Sequence, residues 1–265
     1  MVRPQRVEPR GILHLREPAA MPGYRRFRPD GDLARFVEHY WTVEWDLDEP
    51  VVREVLPHPS VHLALDDTGP RLVGVQKGRF TRRLEGKGRV LGVKFRPGGF
   101  RPFLGAAVSN LTDRTWPAGR VFGSPVEALA ERALSADAAE AFDLVQSFLL
   151  DRLPAPDARG ELAARITDRA ASDRAILRVE PLAGAFGIGL RALQRLFVDY
   201  VGVSPKWVIQ RYRLHEALER IAADGGRIDW PALAFDLGYA DQAHFIRDFR
   251  RFVGRSPVDY ERSLG

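Results

Sequence analysis

The chain has no cysteine among its 265 residues. That removes disulfides, thiol catalysis and cysteine-ligated zinc. It fits a reducing cytoplasm, although a cysteine-free secreted protein would look the same. No apolar run approaches the roughly 18 residues that a membrane span needs. The N-terminus also lacks the continuous apolar stretch of a signal peptide, being interrupted by Arg, Pro and Glu. The phosphate-cradling G-x-x-x-x-G-K-[ST], the nucleophile elbow G-x-S-x-G and the zinc-binding H-E-x-x-H are missing too. No enzyme class, cofactor or metal is therefore indicated, and a soluble, cytoplasmic protein is expected. What is present is an ordinary globular composition, 45% hydrophobic, with a net charge of +5 and a pI near 9.8. The length suggests two domains. The basic balance favours a polyanion partner without proving one.

One unit occurs twice between Leu182 and Tyr260. The first copy reads Leu182-Ala183-Gly184-Ala185-Phe186-Gly187, then Leu193-Gln194-Arg195-Leu196-Phe197, then Gly202-Val203-Ser204-Pro205. The second reads Leu233-Ala234-Phe235-Asp236-Leu237-Gly238, then Phe245-Ile246-Arg247-Asp248-Phe249, then Gly254-Arg255-Ser256-Pro257. Two copies are too few for a solenoid. Apolar residues at i, i+1, i+4 and then i, i+3, i+4 mark two helical faces per copy, separated by a glycine able to end the first helix. A short glycine-containing turn between two helices is the pattern whose second helix enters the DNA major groove. On that helix the outward positions are Arg191, Gln194 and Arg195 in the first copy. In the second they are Gln242, Ala243, His244 and Arg247. Arg can read guanine and Gln adenine; a plain solvated face would also carry such residues, and the paired repeat supplies the context. Gly184 to Gly189 is glycine-rich but follows no strand, so it does not read as a nucleotide loop.

Ser204-Pro205 opens a third helix, predicted from about Lys206 to Asp224-Gly225-Gly226, as a spacer between the two heads. Asp229 and Pro231 open the second unit, and Ser256-Pro257 a closing helix with Val258 and Tyr260.

Residues from about Ala175 to Leu264 resemble the DNA-binding domain of the AraC/XylS family of bacterial transcription regulators. The likeness rests on Leu233-Ala234 through Gly238-Tyr239, His244-Phe245, Phe249 and Gly254-Arg255-Ser256-Pro257, with Arg213-Leu214 and Ala217 in the spacer. It implies two helix-turn-helix heads on a linking helix, bound to adjacent major-groove segments of promoter DNA. By position, Arg191, Gln194, Arg195, Gln242, Ala243, His244 and Arg247 match the family's recognition helices. Two departures stand out. Gly189 replaces the family's usual capping Ser, and Val179-Glu180 offers the first unit no obvious cap. Asp241 would repel phosphate, but as an N-cap its carboxylate satisfies backbone N–H groups.

Residues 1–20, with Pro4, Pro9, Pro18 and four arginines, read as a mobile tail or as a basic arm for DNA phosphates. Folded-looking sequence starts just after Met21, which makes Met21 an alternative start to Met1. Over 21–120 the pattern is strand-like: 40–45, 51–56, 61–65, 71–75, 80–84 and 89–95, with Gly86-Lys87-Gly88 separating the last two. A short helix is expected at 32–37, capped by Asp30 or Asp32. Short strands at this spacing predict a small β-barrel or sandwich. Pro57-His58-Pro59-Ser60-Val61-His62-Leu63 and Gly92-Val93-Lys94-Phe95-Arg96-Pro97-Gly98 resemble an uncharacterised subgroup of the β-rich sensor domains that precede the DNA-binding part in this family. Tyr40, Trp41, Trp45, His58, His62 and Arg96 are the candidates for touching a small-molecule effector. Each has an ordinary alternative in core packing or a surface ion pair. His58 and His62 share a strand face, but no third histidine is near in sequence to complete a metal site.

Helices are predicted at 124–133, capped by Ser124-Pro125, at 136–153 and at 161–171, forming a linker or a homodimer seam over 121–172. Ser172-Asp173 is expected to start the first helix of a DNA-binding domain spanning 173–265. The fold class is α+β: a small β-barrel or sandwich, a helical linker, then two helix-turn-helix units joined by a long helix. The expected partners are double-stranded DNA, a small-molecule effector, RNA polymerase if the protein activates, and a second copy of the chain; no membrane is expected. The rival reading is a ligand-binding or enzymatic barrel whose C-terminal repeat binds a protein. Effector, target promoter and the sign of regulation are not legible.

Overall fold

The computed structural model describes residues 23–223 and 228–264. The tail at 1–20, the choice between Met1 and Met21, and the Asp224-Gly225-Gly226 stop of the spacer helix lie outside them.

The N-terminal part is one antiparallel sheet of six strands: β1 (Arg25–Phe27), β2 (Val37–Val55), β3 (His62–Leu65), β4 (Arg71–Val73), β5 (Phe80–Phe95) and β6 (Thr115–Pro117). Their order is β1-β2-β5-β3-β4-β6. The expected α+β class holds, a β-rich domain followed by helices; among the described residues the end strands β1 and β6 do not pair, so the sheet is open and not a closed barrel. Helices cover its inner face instead of a second sheet. The helices α1 (Arg101–Leu104) and α2 (Gly119–Phe122) lead into α3 (Pro125–Ser135) and α4 (Ala138–Leu150). Tyr40, Leu63 and Val93 share one core with Val126, Leu129, Phe142 and Val145. The Phe27 and Phe142 rings sit 4.1 Å apart. Helices 125–150 thus belong to the core of the sheet.

Two pairs of expected strands are each continuous. The 40–45 and 51–56 segments join as β2 across a register shift between Leu47 and Val51, where Pro50 cannot donate to a ladder. The 80–84 and 89–95 segments join as β5 through Gly86-Lys87-Gly88. That triplet reads as a turn, yet it stays in the sheet. Gly86 adopts φ +55° opposite the irregularity, and Gly88 leaves room for the Trp45 ring, which a Cβ would meet at 2.2 Å. The expected helix at 32–37 is a 3-10 turn over Gly31–Arg35, and neither Asp30 nor Ser124 makes a side-chain cap bond.

The remaining helices are α5 (Ala158–Ser172), α6 (Val179–Ala185), α7 (Leu190–Tyr200), α8 (Pro205–Ala223), α9 (Trp230–Asp236), α10 (Gln242–Val253) and α11 (Pro257–Arg262). No helix starts at Ser172-Asp173. Instead α5 ends there, the Asp173 carboxylate accepts from the Ala175 N–H at 3.0 Å, and a turn leads to α6. Ile176 is buried as expected. Two apolar clusters follow. One joins α5, α6, α7 and the first half of α8 through Ile166, Leu182, Leu193, Phe197 and Val208. The other joins the second half of α8 to α9, α10 and α11 through Leu214, Leu218, Leu233, Phe245 and Tyr260. The linking helix therefore serves both cores in turn. Among the described residues no helix is long and apolar enough to cross a membrane.

Candidate nucleic-acid interface

Both heads are built by the same local chemistry. Gly187 takes φ +62° and Gly238 φ +74°, a conformation that ends a helix at little cost only for glycine. In the first turn the Gly187 N–H reaches the Gly184 carbonyl at 3.1 Å, and Ile188 N–H the Ala183 carbonyl at 3.1 Å. In the second, Gly238 N–H reaches the Phe235 carbonyl at 2.8 Å, and Tyr239 N–H the Ala234 carbonyl at 3.0 Å. This is the same pair of bonds that closes a helix C-terminus. The turn then aims α7 and α10 outward in the same way.

The apolar stripe of α7, Leu193, Leu196, Phe197 and Tyr200, is buried. Its other side carries Arg191, Gln194 and Arg195, all exposed. On α10, Phe245, Phe249 and Phe252 are buried, Ala243 and Arg247 are exposed, and Gln242 and His244 are half-buried. Each of the seven residues singled out from the sequence therefore lies on the solvent side of its helix or at its margin. Arg250 and Arg251, three and four positions beyond Arg247, are exposed on the same helix and extend the basic strip toward its C-terminus. Helical spacing from Arg247 was the available signal for them.

The second helices of the two heads differ at their starts. The Asp241 carboxylate accepts from the His244 N–H at 2.7 Å, making a capped α10. Gly189 stands at the same place in α7 and has no side chain to do so. His244 is further held by the Tyr239 ring, edge-on at 5.2 Å, and lies 3.8 Å from Asp248. Asp248 in turn accepts from Gln210 of α8 at 3.4 Å. The heads also meet directly. Leu177, just before α6, lies against the Gly238 turn, and Arg213 of α8 donates to the Leu177 carbonyl.

The six effector candidates do not converge. Tyr40 is buried in the inner core, facing Phe142. Trp41 and Trp45 lie on the outer face over Gly92 and Gly88. His62 packs edge-on to Trp41 at 6.1 Å, and the Arg96 Nε donates to the Ala34 carbonyl at 2.8 Å. On that outer face His39, Lys94 and His62 are cross-strand neighbours, and Lys94 pairs with Glu38 at 3.0 Å. Burial and the Lys94 charge hold His62 down to about 3; burial, with Lys94 adding to it, holds His39 down to about 4. His58 lines a cavity. It measures about 110 Å³ and lies where the sheet part meets α5 and α8, lined also by Asp173, Tyr212, Arg213 and His215 among others. A hollow on the inner face, lined by Leu65, Leu91, Val93, Phe142 and Val145, is too small to hold a water molecule. Among the described residues no three His, Asp or Glu side chains are grouped to hold a metal ion.

Comparison with known proteins places these parts. Residues 182–263 match the family described as helix-turn-helix domain, and residues 25–117 match a domain of unknown function (DUF6597). The raffinose operon transcriptional regulatory protein RafR of Pediococcus pentosaceus is 30% identical over 73 residues, covering 28% of this chain and 26% of that protein. The HTH-type transcriptional activator RhaS of Escherichia fergusonii is 33% identical over 78 residues, covering 29% and 27%. The chain thus spans about a quarter of the length of these curated relatives. Among solved structures, ToxT from Vibrio cholerae at 1.65 Å resolution is 13% identical, covering 85% of this chain and 98% of that one, with a TM-score of 0.40. Unsaturated fatty acid-bound ToxT is 14% identical, covering 100% and 95%, with a TM-score of 0.36.

Proposed function

We propose, from a C-terminal region that is an AraC-type helix-turn-helix domain behind an N-terminal domain of unknown function, that this chain is a sequence-specific, effector-responsive DNA-binding transcription regulator of the cytoplasm. The observation that carries this reading is the pairing of two heads with matched turns, whose second helices both turn polar faces to solvent. The relatives, named as an operon regulatory protein and a transcriptional activator, support it.

In this reading α7 and α10 enter successive major-groove segments. Arg191, Arg195 and Arg247 are the groups suited to guanine edges and Gln194 and Gln242 to adenine; Ala243 suits a thymine methyl, and His244 sits at the groove margin. Arg250 and Arg251 suit phosphates, which add affinity without choosing sequence. Boxes read from one face of the duplex would lie roughly 34 Å apart. An effector shifts the output by favouring one arrangement of sheet part and heads over another. The cavity between them is where one small ligand would touch both, and its size admits only a ligand well below drug size. RNA polymerase, if the chain activates, and a second copy of the chain complete the proposed partners.

Selection of random duplexes by the purified protein at stated salt tests the reading. Recovery of a bipartite motif with boxes about one helical turn apart is expected. Binding that shows no motif and vanishes as salt rises would overturn it, leaving charge alone.

A further inference from the structure

The connection between β4 and β5 touches both heads and the helix that links them. Val75 is 1% exposed and belongs to the apolar cluster of the first head. Two residues on, the Lys77 carbonyl accepts from the Arg211 guanidinium of the linking helix at 2.5 Å. Two further on, Arg79 donates to the Val253 carbonyl of the second head at 3.3 Å and pairs with Glu54 at 2.8 Å. Glu54 also pairs with Arg255 of that head at 3.3 Å. Beside it Leu56, 0% exposed, sits in the second head's apolar cluster. The sheet part thus places one apolar side chain in the core of each head and one carbonyl on the helix between them.

Arg211 is the centre of this junction. It is 1% exposed. Its guanidinium lies 4.5 Å from the Trp207 ring, which packs on the first head's cluster, and 5.0 Å from the Phe252 ring of the second head. Among the described residues it has no carboxylate within ion-pair distance, and its Nε and Nη1 make no hydrogen bond. Burial pushes its proton affinity down to about 9, against a smaller opposing pull from Asp113. Burying a charge on one carbonyl and two ring faces is costly, and an apolar side chain of similar size would pack there at least as well. Its arrangement has one property that an apolar side chain lacks. A planar guanidinium can bond a carbonyl in its plane while both faces stack.

We propose that Val75, the Lys77 carbonyl and Arg79 form a strap, clamped on Arg211, that fixes the distance and phase between the two heads. Arg211, Val75 and Leu56 are then positioning residues for bipartite DNA reading, and the sheet part is a structural component of the reading device. The DNA consequence rests on the function proposed above; the strap itself does not.

The absence of native cysteine lets both be tested apart. Spin labels are placed on V198C in α7 and F235C in α9, which are 46% and 79% exposed, and the distance between them is measured by pulsed electron resonance in the full chain. Unsubstituted strap residues should give one narrow distribution. R211M, which keeps the volume apolar, and V75A should each broaden or split it. V75A carries the test if R211M fails to fold. Distributions as narrow in both variants as in the parent would overturn the strap. In a second arm, two base pairs are added between the selected boxes, rotating one by ~70° about the duplex axis. The parent should lose about tenfold or more in affinity, and R211M markedly less. An equal loss in both would overturn the positioning role. A narrow parent distribution with no bipartite motif recovered would remove the DNA reading and leave the strap standing.

Discussion

The imidazole rings of His58 and His215 stack with centroids 4.1 Å apart and planes 7° apart, across the seam between the sheet part and the helix that joins the two heads. Tyr212 borders both rings, at 6.2 Å and 6.4 Å. Stacked in this way, the two rings cannot both carry charge without repulsion. Burial, with the His215 ring and the Lys94 and Arg211 charges adding to it, holds His58 well below the ordinary histidine range.

Folding should therefore become pH-dependent below neutrality. His58, His62 and His39 all have lowered folded-state proton affinities, the latter two at about 3 and about 4. The unfolded chain binds protons near pH 6.5, so it takes up more protons than the native state as pH falls, and stability drops below that point. Each such group contributes up to about 1.4 kcal/mol per pH unit until its folded value is reached. Glu38, lowered by its His39 and Lys94 contacts against the opposing pull of burial, adds a loss only below about pH 4.5. Between pH 6.5 and 5 the three histidines dominate, and a loss of up to about 5 kcal/mol is expected from denaturant unfolding. His58→Phe, which keeps a stackable ring, should flatten that slope. An unchanged slope would show that His58 does not take part.

The turn glycines of the two heads should differ in their tolerance of a side chain. Alanine at either position is strained by a left-handed backbone, by about 1–2 kcal/mol. At Gly187 the space beyond is open, whereas a Cβ at Gly238 would come within 2.6 Å of Leu177. Gly238→Ala should therefore cost more than Gly187→Ala. Shortening Leu177 to Ala alongside it should remove the excess. Denaturation of the parent, Gly238→Ala, Leu177→Ala and the double variant forms the cycle that checks this.

How much of this was legible in the sequence follows from the range of each interaction. The heads were legible because their signals are local: Gly187 and Gly238 lie within a turn of the helices they end, and Leu193 and Phe245 repeat at helical spacing. The strands around Gly86-Lys87-Gly88 were split by a local signal that a distant one overrides, since the Trp45 ring occupies the space that makes Gly88 part of a strand. That the sheet is covered by helices was not legible because its cover is remote in sequence. Phe142 lies more than a hundred residues from Phe27, and amphipathic spacing says that such a helix is covered, not by what. Likewise His58 carried no mark of its partner. Its stacking on His215 and the burial of Arg211 under the Lys77 carbonyl depend on how two cores dock.

Uneven capping predicts uneven fraying of α7 and α10. Asp241→Ala removes a carboxylate that holds the first turn of α10, and should cost about 1 kcal/mol. Gly189→Ser supplies α7 with the missing acceptor and should gain a few tenths of a kcal/mol, since glycine is itself a tolerated cap. In the unsubstituted protein, amides of Arg191 and Ala192 should exchange with solvent faster than those of Ala243 and His244. Equal exchange rates at the two starts would mean that docking, not capping, sets their order.

The basic residues of α10 separate into two kinds by the pattern of loss. If Arg247 reads a base, Arg247→Ala should cost about 1–3 kcal/mol on the preferred duplex and relax the choice at one position. Arg250 and Arg251 lie closer to the C-terminal end of the helix, where an arginine meets backbone before base edges. Their replacement by Ala should weaken all duplexes by similar factors and reduce the salt dependence of binding by about one ion each. The discriminating measurement is affinity for the selected site and for single-base variants at two salt concentrations. Uniform weakening by Arg247→Ala would move that residue to the phosphate group. No change at any salt would remove it from the interface, and the recognition face of α10 would then rest on Gln242, Ala243 and His244, close to the capped start that Asp241 holds in place.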